Sequence, residues 1–157
     1  MREIQYHIYK KWFLAGLLLC LLIVVSSCGC ANNRISVKND NLLDDKEGLR
    51  ESFNQYWRFI AGKEVEKTFA CEAPYVQEMV NKNTYRLYQK NFLMKADLKK
   101  VEVLNSMVCE QPFKCCIDCR LYYDAEGRKK VSERQDCWVL VDGSWYHVLR
   151  SPLFFPM

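Results

Sequence analysis

The spacing of apolar residues changes once along this chain, near residue 97, and that change restricts the fold more than any motif does. Before it, Leu49, Phe53, Trp57 and Ile60 recur at steps of four, four and three, which lays them along one side of a helix. The helix is expected to begin at Lys46, with Asp44 or Asp45 as N-cap, and to end at Gly62. Val65 and Phe69 mark a second helical piece over 64–70, which Pro74 interrupts. Tyr75, Val76, Met79 and Val80 form a further short turn, and Tyr85, Tyr88 and Phe92 a third piece over 84–92. After residue 97 the period drops to two. Residues 97–109 read as a strand, and 115–123 alternate, with Ile117, Cys119, Leu121 and Tyr123 on one face and Asp118 and Arg120 on the other. A third strand over 130–141 returns through Asp142-Gly143, a two-residue hairpin turn, into a fourth over 144–150. Helices followed by strands make an α+β domain, its N-terminal helices packed on one face of a curved four-stranded antiparallel sheet.

This order of elements, the aromatic first helix and the ending Trp138-Val-Leu-Val-Asp-Gly-Ser-Trp145-Tyr146-His147 together resemble the nuclear transport factor 2-like superfamily, the cystatin-like cone. The resemblance runs from Leu49 to Leu149. It implies a curled sheet under helices and names no reaction, because that fold carries isomerases, dehydratases, polyketide cyclases and assembly subunits alike.

The N-terminus has a different character. Arg2, Lys10 and Lys11 precede fourteen uncharged residues, Trp12 to Val25, as in a secretory leader. Val25-Ser26-Ser27-Cys28 resembles the lipobox of bacterial lipoproteins. That resemblance implies a signal peptide over 1–27, cleavage before Cys28, and acylation of Cys28 by diacylglycerol and a fatty acid such as palmitate. Cys20 does not qualify, because Leu19 precedes it where a small residue is needed. The alternative is an uncleaved anchor, since the uncharged stretch from Trp12 to Asn33 is 22 residues long and can span a bilayer. Both readings put the remainder on the extracytoplasmic side of the cell membrane; the lipoprotein, whose second mature residue Gly29 is not Asp, is expected at the outer membrane where the source has two membranes. Residues 28–45 are then the lipidated terminus and a polar tether, and 46–157 the domain.

Composition removes several function classes. Half the residues are hydrophobic and 27% are charged, which excludes a disordered chain. Without residues 1–27 the 23 basic residues become 20 and the 19 acidic ones 18, a net charge of +2. That balance is too even for a nucleic-acid binder. Six cysteines lie beyond residue 30, and an exported chain meets oxidising surroundings. If Ala125-Glu126-Gly127 is a three-residue loop with Gly127 left-handed, Cys115 stands opposite Cys137, and a Cys115–Cys137 disulfide is expected. One extra residue would instead set Cys137 against Lys114 or Cys116. The partners of Cys30, Cys71, Cys109, Cys116 and Cys119 stay open.

The candidate chemistry is sparse. His147 is the one histidine after the leader. Pairing across Asp142-Gly143 sets it opposite Trp138, on a face with Leu140, Trp145 and Leu149. The other face, with Cys137, Val139, Val141, Tyr146 and Val148, continues most simply from Ile117 and Leu121 and is assigned to the helices. His147 is therefore expected to point away from them and from any pocket, as a structural residue. Asp118 shares a face with Arg120 and reads as a solvated charge. Cys116 and Cys119 have CxxC spacing, but residues i and i+3 of a strand face opposite ways, so neither a redox pair nor a zinc site is expected. Phe53, Trp57, Tyr85, Tyr88 and Phe92 are core before they are a pocket, and Leu153-Phe154-Phe155 must pack back or meet a partner. No catalytic set, cofactor or metal site emerges. The expected function is a lipid-anchored cell-envelope protein, held to the membrane through its anchor, whose non-catalytic domain binds an envelope protein partner or an apolar small molecule. The alternatives are an isomerase, dehydratase or cyclase on the same cone, and an assembly subunit of an envelope secretion complex with its anchor uncleaved. Replacing Cys28 with Ala is expected to leave the precursor uncleaved and without fatty-acid label; normal processing of that variant would remove the lipoprotein reading.

Overall fold

In the computed structural model, which describes residues 35–44, 46–93, 95–104 and 107–149, the apolar stripe of the first helix is buried throughout. Leu49, Phe53, Trp57 and Ile60 all point inward from α1 (Leu49–Ala61), and Tyr56 joins them. The helix begins three residues later than expected. Gly48, left-handed at φ 76°, precedes it without a side-chain cap, and Asp44 bonds Arg50 Nη1 at 3.0 Å instead. Asp45 lies outside the described residues. Three short helices follow: α2 (Val65–Ala70), α3 (Pro74–Met79) with Pro74 in its first turn, and α4 (Lys82–Tyr88), capped by the Asn81 side chain. A π-helical turn over Gln89–Leu93 continues α4.

The sheet has six strands, two more than expected. They are β1 (Ser36–Lys38), β2 (Asp97–Val103), β3 (Val108–Gln111), β4 (Lys114–Ala125), β5 (Arg128–Val141) and β6 (Ser144–His147), in the order β1-β2-β4-β5-β6, with β3 also paired to β4. The α+β class with helices packed on a curled sheet agrees with the sequence, and the pairings among β2 to β6 are antiparallel as expected. The tether does not. Its second half supplies β1, which pairs in parallel with β2, and a 3-10 turn over Asp40–Leu43 that buries Leu43 completely. Leu43 has the apolar character of a core residue, but two residues of apolar pattern are too few to reveal a strand and a turn from sequence. Residues 1–34, with Cys28 and the leader, lie outside the described residues, and among those described no helix is long and apolar enough to cross a membrane.

The register of β4 against β5 departs from expectation by one residue. Glu126 and Gly127 both take left-handed φ, 54° and 71°, so the hairpin closes through two residues with Ala125 opposite Arg128. No neighbour lies within 4 Å of a Cβ built at Gly127, so the turn needs the glycine for its backbone angle and not for space. From there the pairing runs unbroken to Lys114 opposite Val139. A shift of one residue turns every side chain of a strand to the other face. Ile117 therefore stands opposite Asp136 and Cys116 opposite Cys137. The Cys115–Cys137 disulfide is not formed. Cys137 bonds Cys116, and Cys115, on the other face, bonds Cys109 across β3. Cys71 and Cys119 are free thiols.

The inward face of the sheet carries Val101 and Val103 of β2, Cys115, Ile117, Cys119 and Leu121 of β4, Trp138 of β5 and Trp145 of β6, which meet the α1 stripe. Phe53 lies 5.9 Å from Trp138 between ring centres, and Tyr56 stands edge-on to Trp57 and Trp138. A second cluster joins Phe69, Val76, Val80, Tyr85 and Leu149, with Val139 and Tyr146 packed against it. The Cys116–Cys137 link closes a separation of 21 residues, and a loop of that length confers about 3 kcal/mol by restricting the unfolded chain. The double change Cys116→Ser with Cys137→Ser should lower unfolding free energy by about that amount. Partial Edman degradation of the linked peptides should assign Cys137 to Cys116. A Cys115–Cys137 link would overturn the register.

Candidate functional site

His147 sits on the inward face of β6, opposite Trp138, and is 1% exposed. Its facing strand residue was read correctly from the Asp142-Gly143 turn; its direction was not. The one-residue difference in the β4–β5 hairpin puts Asp136, Trp138 and His147 on the same face as Ile117, under the helices. The expectation that His147 points away from them is corrected on that ground. Its imidazole stacks on Tyr56, 4.2 Å between ring centres and 21° apart in plane, and meets Trp138 edge-on.

Both ring nitrogens reach carboxylates. Nδ1 lies 2.7 Å from Glu72 Oε2 and Nε2 lies 3.0 Å from Asp136 Oδ1. Glu72 arrives from the link between α2 and α3, which runs along the free side of β6. His147 N donates to Cys71 O and Ala73 N donates to His147 O, both at 2.8 Å, so this link covers a sheet edge and sets Glu72 beside the imidazole. The other oxygen, Glu72 Oε1, accepts from the Tyr85 hydroxyl at 2.7 Å, and Gln89 Nε2 donates to that hydroxyl at 2.6 Å. On the far side Asp136 Oδ2 accepts from Trp138 Nε1 at 3.2 Å, and Oδ1 also faces Arg134 Nη2 at 3.1 Å. A continuous polar chain thus runs from α4 through the core to β5.

Burial opposes charge on His147, yet the adjacent Glu72 and Asp136 carboxyls, each also hydrogen-bonded to it, outweigh burial and raise its pKa to about 9. Burial likewise opposes charge on Asp136. The His147 and Arg134 charges, with hydrogen bonds from His147 and Trp138, hold it below its ordinary value. Burial, then the Glu72 charge, push the Tyr85 hydroxyl upward. At neutral pH the imidazole therefore donates through both nitrogens. Glu72, Asp136 and His147 are all fully or almost fully buried, and an acid or base must reach its substrate to act on it. The arrangement holds charge in place; it does not present a reactive atom to solvent.

Arg134 connects this cluster to an apolar cavity of about 210 Å³ between α1 and the sheet, lined by Trp57, Ile60, Leu98, Leu121, Tyr123 and Arg134 together with Ala96 and Ser132. The guanidinium lies over the Trp57 ring, 5.6 Å from its centre. Among the described residues, the indole N–H of Trp57 and the hydroxyl of Tyr56 have no hydrogen-bond partner. No cluster of metal-ligating side chains occurs among the described residues. Asp118 stays on the outward face, accepting from Gln135 Nε2 at 3.4 Å. Cys119 is buried, and burial pushes its thiol upward; Cys71 is raised the same way to about 11. Sequence reasoning missed Glu72, Arg134 and Asp136. Arg134 and Asp136 were legible as two charges at i, i+2 on a strand face; for Glu72 no sequence signal exists.

No protein-family model matches the chain, and no curated protein matches it in sequence. Solved structures do. A SEC-C motif containing protein from Rhodopseudomonas palustris superimposes with a TM-score of 0.52 at 13% identity, over 69% of this chain and 83% of that one. One from Psychrobacter arcticus gives 0.53 at 11% identity, over 71% and 67%. A Delta 5-3-ketosteroid isomerase from a Mycobacterium species gives 0.47 at 11%, over 66% and 93%. At these identities the likeness to the SEC-C motif proteins concerns the fold alone.

The cluster makes stability depend on pH with a definite sign. The folded pKa of His147, about 9, lies above its ordinary 6.5, so the folded state binds the proton more tightly. That stabilisation is complete below about pH 6.5 and is lost as pH rises through 9, on the order of 3 kcal/mol in all. Urea unfolding at pH 6, 7.5 and 9 should show the decline, and His147→Gln should flatten it while costing about 3–5 kcal/mol at pH 6, where two buried carboxyls lose their partner. An equally steep profile in His147→Gln would refute this account of the cluster.

Proposed function

We propose that this protein is a lipid-anchored domain on the extracytoplasmic side of the cell envelope that binds an apolar small molecule without transforming it. The observation that carries the reading is the cavity beneath α1. Its walls are mostly aliphatic and aromatic, and among the described residues a single charged side chain, Arg134, stands with them. Apolar walls with few convergent polar groups are what small-molecule sites share. An isomerase or dehydratase would need a carboxylate or imidazole base facing that cavity. The carboxyls and imidazole capable of it are instead closed into the hydrogen-bonded chain behind Arg134. Two disulfides suit an oxidising compartment, and Cys28 with its leader supports membrane attachment.

Indole, neutral and of suitable size, is the first probe. Millimolar indole should raise the melting temperature of the folded domain and, by nuclear magnetic resonance, shift the Trp57 indole N–H signal. Leu121→Trp, which fills the cavity from β4, should abolish both effects. Absence of any indole response in the unaltered protein, or an undiminished one in Leu121→Trp, would remove the cavity as the binding site.

A further inference from the structure

We infer that the cavity beside Arg134 is a site for a single-ring aromatic carboxylate, of the benzoate or phenylacetate class. The inference rests on the reading of that cavity as a ligand site and adds the chemistry of the occupant. Volume sets the first limit. A cavity of about 150 Å³ lined by aliphatic and aromatic side chains takes up benzene. About 210 Å³ therefore has room for one ring with a short substituent. The walls set the second. Trp57 and Tyr123 offer aromatic surfaces, and Ile60, Leu98 and Leu121 offer aliphatic ones, so the body of the ligand is apolar and planar.

Charge sets the third limit. Arg134 has five N–H donors, and among the described residues its one carboxylate partner is Asp136, met through Nη2 alone. Asp136 is itself shared: its two oxygens also receive His147 Nε2 and Trp138 Nε1. The guanidinium is thus held in place from behind by Asp136 and from the side by the Trp57 ring, with donors left for a second acceptor. A planar guanidinium with spare donors matches a carboxylate, which it can grip through two parallel bonds. Among the described residues no other cation and no carboxylate line the cavity, so a monoanion is matched and a phosphate dianion is not. Trp57 adds a buried indole N–H with no acceptor among the described residues.

The test is a titration of the folded protein with phenylacetate, phenylacetamide and acetate, read by calorimetry. Phenylacetate should bind at least tenfold more tightly than phenylacetamide, its neutral near-isostere, and acetate should not bind measurably. Arg134→Gln should erase the preference and keep phenylacetamide binding. Should Arg134→Gln fail to fold, Leu98→Trp leaves the charged cluster untouched and should abolish binding of both aromatic ligands by filling the cavity. Equal binding of phenylacetate and phenylacetamide would overturn the carboxylate assignment and leave the apolar site standing. Binding of neither, together with no response to indole, would overturn both. A preference that survives in Arg134→Gln, or binding that survives in Leu98→Trp, would place the anion elsewhere and overturn the inference.

Discussion

The hairpin between β4 and β5 closes through Glu126 and Gly127, both left-handed, and the rest of the interior follows from that count of two. With two residues in the turn, the even-numbered side chains of β5 share a face with the odd-numbered ones of β4. Asp136 then lies beside Ile117, Trp138 beside Cys115, and across the next hairpin His147 beside Trp138. The same count brings Cys116 to Cys137 and frees Cys115 for Cys109. A left-handed glutamate costs about 1–2 kcal/mol relative to its relaxed backbone. The unbroken ladder and the Trp138 packing that follow more than offset it. Disulfide pattern, aromatic core and charged cluster are therefore consequences of one turn.

Burying charge is costly unless each charge is paired and hydrogen-bonded. Here two carboxyl groups face one imidazole and one guanidinium, and every carboxyl oxygen has a donor within 3.2 Å. The cluster also joins parts of the chain that apolar packing does not hold in register. Glu72 comes from between two short helices, Tyr85 from α4, Gln89 from the π-helical turn after it, and Asp136 and His147 from the sheet. Apolar contacts tolerate sliding, whereas a chain of hydrogen bonds has one geometry. The short helices α2 to α4 have few buried side chains each, so the polar chain gives their position a definition that hydrophobic burial alone would not.

Closure of that chain separates structure from recognition. His147 and Glu72 are sealed behind Tyr56 and Trp138, while Arg134, at the end of the chain, reaches the cavity. One side chain thus belongs to both: its Nη2 faces Asp136 Oδ1, and the residue lines the cavity. The fold resembles that of SEC-C motif proteins at low identity, and such a likeness leaves the chemistry to the site. In this chain the described lining of the cavity is mostly apolar, with Arg134 as its cation.

Much of this architecture was legible in the order of residues. The steps from Leu49 to Ile60 determined α1 and its inward face, the alternation from Cys115 to Tyr123 determined β4, and Asp142-Gly143 determined that His147 faces Trp138. These are local properties, set by the period of one element or the geometry of one turn. Which side of β5 is inside was not local. Glutamate rarely takes left-handed backbone, so the residues around Gly127 favour a three-residue loop when read alone, and only the gain from packing Trp138 and pairing Asp136 with His147 selects the two-residue one. Ser36–Lys38 likewise joins the sheet, and Leu43 the core, because β2 offers an edge for them, a fact written in no residue near them. Glu72 becomes a partner of His147 only when its link lies against β6. The sequence by itself determined the elements and where they turn; the tertiary structure decided which faces and charges meet, because a contact between distant segments is selected by the free energy of the whole core.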